Sequence, residues 1–109
     1  MNINFLPKDL LNNLMELSKN SNVEICGFIK NNIFVKCDNL HPDPFNYFTI
    51  SHKEYLKNID SILFHSHPYK YNDKGFSDWD LENQKYHCLN MLLYSVNLNR
   101  FFYKTYDKD

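Results

Sequence analysis

The sequence predicts a single mixed α/β (α+β) domain over residues 1–109, a sheet flanked by helices. Three observations carry this prediction. Leu10, Leu11, Leu14, Met15 and Leu17 recur at helical spacing. Short apolar runs, Val23 to Ile29 and Ile33 to Cys37, flank the turn-forming Lys30-Asn31-Asn32. A chain of 109 residues suffices for one hydrophobic core and not for two.

The elements follow in order. Pro7 to Lys19 is predicted as the first helix, with Pro7 suited to the first turn and Asn20-Ser21-Asn22 ending it. Val23 to Ile29 and Ile33 to Cys37 form a hairpin, because Asn tolerates the positive φ of a tight turn. His41-Pro42-Asp43-Pro44 is loop, since two prolines resist both helix and ladder. Phe45 to Ile50 is predicted as a further strand. Ser51 caps a short helix to about Asn58, with Glu54 completing a capping box. Ser61 to His65 reads as a buried strand and Pro68 to Phe76 as loop. Ser77 starts a second long helix to about Cys88, and Met91 to Val96 and Arg100 to Tyr106 close the chain as a hairpin over Asn97-Leu98-Asn99.

Composition removes several function classes. With 43% hydrophobic and 23% charged residues a packed core is feasible. Eleven lysines and Arg100 are scattered among thirteen acids for a net charge of -1, so there is no basic face for nucleic acid. No apolar run approaches the roughly 20 residues that span a bilayer. Met1-Asn2-Ile3-Asn4 lacks the build of a signal peptide, so the expected compartment is the cytoplasm. Cys26, Cys37 and Cys88 are widely spaced and without a CxxC pair, and are read as buried free thiols.

The chemistry concentrates in Phe64-His65-Ser66-His67-Pro68 and Ser77-Asp78-Trp79-Asp80. Side chains alternate along a strand, so His65 and His67 project to one face and can reach a single ion. Zinc is the usual metal of such sites, and Asp80 on the first helical turn can supply a third ligand. Three protein ligands leave a position for water, the pattern of a catalytic centre. Each part has an ordinary alternative. The histidines can be strand-end residues, Ser77-x-x-Asp80 can be a capping box alone, and Asp78 is a second acid nearby. Glu24 stands in an otherwise apolar strand. It is read either as a buried general base or as an outward-facing residue on an edge strand. His41, His52 and His87 have no partners at ligand spacing and are read as loop or surface residues. Trp79, Tyr69 and Tyr71 are read as core or rim packing beside the site.

Glu24 before Cys26-Gly27, the tetrapeptide His65-Ser66-His67-Pro68, and Ser77-x-x-Asp80 together resemble the JAMM (MPN+) zinc metallopeptidases. The similarity is strongest to small bacterial and phage members, including those of phage tail assembly proteins, in which Asn39 to Ser51 also has a counterpart. The resemblance implies an MPN-type domain of cytidine-deaminase-like architecture over nearly the whole chain. It implies one zinc held by His65, His67 and Asp80, Glu24 as general base and then proton donor, and Ser77 steadying an oxyanion. The implied reaction is hydrolysis of a peptide or isopeptide bond in a protein substrate, in phage tail assembly or protein processing. Bacterial or phage-infected host cytoplasm, or the virion, is the implied place. The loop from Pro68 to Phe76 is slightly longer than the family's usual spacing. A non-catalytic assembly module of the same fold is the alternative. A zinc deaminase is disfavoured because the H-x-E and P-C-x-x-C elements are missing.

Overall fold

The computed structural model describes residues 3–69 and 73–107. Among these the elements run α1 (Lys8–Lys19), β1 (Cys26–Lys30), β2 (Ile33–Cys37), α2 (His52–Lys57), β3 (Ile62–His67), α3 (Asp78–His87), β4 (Met91–Ser95) and β5 (Arg100–Lys104). The strands form one mixed sheet in the order β2-β1-β3-β4-β5. Only β3 and β4 are parallel, because α3 carries the chain back across the sheet between them. The predicted α+β class is therefore what the chain adopts.

The β1–β2 turn forms as its asparagines dictate, with Asn31 and Asn32 both at positive φ (53° and 63°). Leu6, Leu10 and Leu14 pack on Ile25, Ile29, Phe64, Leu92 and Tyr94, which buries one face of the sheet beneath α1. The opposite face carries Cys26, Phe28, Leu63 and Met91, covered by Phe48, Ile50, Tyr55 and Leu89. Strand β3 is thus enclosed on both sides, and every residue from Leu63 to His67 is buried. Residues 63, 65 and 67 face the α2–α3 side, so His65 and His67 are aimed under the start of α3.

Several boundaries differ from the sequence reading. Pro7 stands just before α1 rather than in it, and its carbonyl accepts from Leu11 N–H. β3 runs on through His67, two residues beyond the predicted end. Residues 45–50 form no strand. The Asn39 side chain takes the backbone groups a ladder would use: its Nδ2 donates to Tyr47 O (3.0 Å) and its Oδ1 accepts from Thr49 N (3.1 Å). Ser51 Oγ accepts from Glu54 N, but the Glu54 carboxylate turns to Lys57 instead of completing the box. Cys26 and Cys37 are buried free thiols as expected, whereas Cys88 is exposed at the left-handed end of α3.

Candidate metal centre

Four ionisable side chains converge beneath the N-terminus of α3. Glu24, His65, His67 and Asp80 offer ligand atoms that all lie within 4.8 Å of one another. Each residue is at most 1% exposed. The two histidines arrive by strand alternation at the end of β3. Asp80 arrives by helix capping: Ser77 Oγ accepts from Asp80 N (3.1 Å), and Asp80 Oδ2 accepts from Ser77 N (2.9 Å). This reciprocal box fixes the carboxylate over the strand end. The capping bonds therefore leave Asp80 within the cluster. Asp78 is exposed on the first turn and takes no part.

Glu24 lies just before β1, in an extended segment held on two sides. Its N–H donates to Pro44 O (2.7 Å), and Asn39 Nδ2 donates to its carbonyl (3.1 Å). The next residue is tied to β3, since Ile25 N donates to Ser66 Oγ and Ser66 N donates to Ile25 O, both at 2.9 Å. β1 is interior to the sheet, so an outward-facing Glu24 on an edge strand is not what forms. Its carboxylate points inward, and neither oxygen has a hydrogen-bond partner among the described residues. Burial pushes its pKa from 4.5 up to about 9, with the nearby His67 charge only partly offsetting the effect.

Asp80 Oδ2 sits 3.0 Å from His65 Nε2 and 3.1 Å from His67 Nε2. The two rings are not equivalent. His67 is bonded at both nitrogens, because Nδ1 lies 3.0 Å from Asp73 Oδ1. Burial lowers its basicity, but the bonds to Asp73 and Asp80 outweigh that and push it up to about 9. His65 has no well-aligned hydrogen bond at either nitrogen, and burial holds it below its ordinary value, in the neutral form. Its ring is held instead by stacking on Phe48, centroids 4.6 Å apart. Asp80 is well below the usual carboxylate range. Burial opposes ionisation there, but the two imidazoles outweigh it.

This donor set fits a metal ion. A buried carboxylate with two unsatisfied oxygens, and an imidazole whose Nε2 meets Asp80 without a well-aligned hydrogen bond, are costly on their own. Both are restored if a cation sits among them. With Asp73 and Asp80 ionised and His67 cationic, the pocket keeps a net negative charge, which also favours a cation. Imidazole plus carboxylate is an N/O donor set suited to zinc and its neighbours in the first transition row.

Ser77 borders the centre, half-buried, with its oxygen accepting from Asp80 N. Tyr69 and Trp79 are exposed, and Tyr71 lies outside the described residues. Trp79 donates its indole N–H to Phe48 O (3.0 Å) and packs against His41 and Tyr47. Of the other histidines, His41 Nδ1 accepts from Asp43 N and His87 stacks on Tyr55. The sequence assigns no site role to three contributors. Asp73 falls in the predicted loop Pro68 to Phe76, Asn39 enters only as part of the Asn39 to Ser51 stretch of the family resemblance, and Ser66 only as the residue between the two histidines. The pattern Asp73-x-Gly75 does carry a local turn signature, and Gly75 N donates to Asp73 Oδ1 (2.9 Å). Nothing local says that the same oxygen also meets His67.

Among the described residues, no helix is long and apolar enough to cross a membrane. In sequence, no protein-family model and no curated protein matches this chain.

Proposed function

We propose that the protein is a zinc-dependent metallopeptidase of the JAMM (MPN+) type, hydrolysing a peptide or isopeptide bond. The observation that carries the reading is the buried convergence of Glu24, His65, His67 and Asp80. His65, His67 and Asp80 hold the ion, and Glu24 stands beside it. Zinc bound there supplies Lewis acidity and lowers the pKa of a water molecule to about 7.

The chain's own residues supply the rest. Glu24, with a carboxylate free of other bonds, takes the proton of the attacking water and passes it to the leaving amine. Its inclination to hold a proton in a dry pocket suits the second half of that task. Ser77 uses a lone pair in capping α3, which leaves its hydroxyl proton to donate to the developing oxyanion. The substrate is a protein or peptide, in phage tail assembly or protein processing. The setting is bacterial or phage-infected host cytoplasm.

A second reading is favoured by one observation. All four groups are at most 1% exposed and close around one point, as in structural sites in which every ligand comes from the protein. On that reading the domain is a non-catalytic assembly module. One experiment separates the two. Metal analysis of purified protein should give a single zinc per chain, lost in the His65→Ala/His67→Ala double variant. Zinc-loaded wild type should cleave a proteome-derived peptide library, and Glu24→Gln should keep the zinc and cleave nothing. Zinc in wild type with an untouched library supports the module, and zinc retained by the double variant refutes the site.

A further inference from the structure

We propose that Asp73 is the positioning residue of this centre: through its bond to His67 Nδ1 it holds the ring so that Nε2 is the nitrogen presented to the metal. The inference rests on reading Glu24, His65, His67 and Asp80 as a metal centre, and it adds a function for the loop before α3.

His67 is the last residue of β3, so the sheet fixes its backbone but stops short of orienting its ring. Asp73, six residues on, has a fully buried side chain whose Oδ1 lies 3.0 Å from His67 Nδ1. The carboxylate is itself oriented by Gly75 N–H (2.9 Å to the same oxygen). Gly75 is at φ +94°, a conformation other residues rarely adopt, with the Phe102 ring 3.2 Å from where a Cβ would sit. The chain thus accepts a glycine-dependent turn at this point, and the turn aims a carboxylate at the ring. A carboxylate oxygen can only accept, so the proton belongs to Nδ1, and Nε2 carries the lone pair once a metal displaces its contact with Asp80. His65, the other proposed imidazole ligand, has no such partner and is oriented by the Phe48 ring. One ring is locked by charge and the other by packing.

A hydrogen-bonded partner behind a ligating histidine typically changes metal affinity by about 10–100-fold. The test is competitive titration of Zn²⁺ against a chromophoric chelator, using the full chain. Asp73→Ala should bind Zn²⁺ about 10–100-fold more weakly than wild type. Asp73→Asn, which keeps an acceptor oxygen for Nδ1–H, should recover most of that loss. A wild-type affinity in Asp73→Ala, beside normal wild-type binding, overturns the role of Asp73 and leaves the centre standing. Wild type that binds no Zn²⁺ overturns the centre itself. A measurement independent of variant folding is proton–nitrogen NMR of zinc-loaded wild type. It should show a downfield His67 Nδ1–H that exchanges slowly with water, and a rapidly exchanging or missing signal contradicts the proposal.

Discussion

Replacing Glu24 by Gln should change how the stability of the metal-free protein responds to pH. In the unfolded chain Glu24 ionises near 4.5, whereas in the folded chain burial holds its proton up to about 9. Between those values the folded state binds one more proton than the unfolded state, so stability falls as pH rises. Each pKa unit is worth about 1.4 kcal/mol. At pH 7 the cost of keeping Glu24 protonated is then about 3 kcal/mol, growing to about 6 kcal/mol near pH 9. His67 acts in the same direction. Its folded-state pKa is raised from 6.5 to about 9, so its contribution is whole below pH 6.5 and lost as pH rises through 9. Set against the roughly 5–15 kcal/mol that holds a domain of this size together, these losses are large, and chelator-treated wild type should become marginal in mild alkali. Glu24→Gln removes the carboxyl but leaves an amide without partners, at a pH-independent cost of about 1–3 kcal/mol. The diagnostic is therefore the slope. Urea unfolding in chelator, repeated from pH 5 to 9, should give a variant whose stability declines by about 5 kcal/mol less than wild type over that range. Parallel profiles for the two proteins would refute the claim that Glu24 is buried and unpaired.

Two further perturbations test other parts of the structure. Ser77→Ala should reduce turnover of any substrate found by about 10²-fold or more while leaving Zn²⁺ affinity within a few-fold, if the hydroxyl acts as an oxyanion donor; a loss confined to stability, about 1 kcal/mol in urea unfolding, would make it a helix cap only. Gly27→Ala should destabilise the fold by about 3 kcal/mol or more. A Cβ there would collide with the Val35 carbonyl oxygen and approach Phe34 Cε1 to 2.7 Å. Unchanged thermal unfolding would show that β1 and β2 are not paired as described.

Much of the fold was legible because its determinants are local. Leucines at helical spacing in α1, paired asparagines at the β1–β2 turn and Ser77-x-x-Asp80 at the start of α3 each specify backbone geometry within a few residues. The failure at residues 45–50 has the opposite cause. Those residues suggest a strand, yet the Asn39 side chain takes Tyr47 O and Thr49 N, Leu40 N–H takes Thr49 O, and among the described residues no strand pairs with them. A strand is a property of a pair, and one segment cannot announce its partner.

The same division runs through the candidate site. By itself the sequence determined that His65 and His67 share a face and that Ser77 and Asp80 cap one helix, because strand alternation and capping are periodic, short-range rules. Tertiary structure alone decided that these two pieces meet, with both Nε2 atoms about 3 Å from one Asp80 oxygen. It alone placed Glu24 inward rather than outward, since β1 became an interior strand. It also brought Asp73 behind His67. Each of those outcomes depends on packing between segments far apart in the chain, where burial converts an ordinary carboxylate into one that must find a cation or keep its proton.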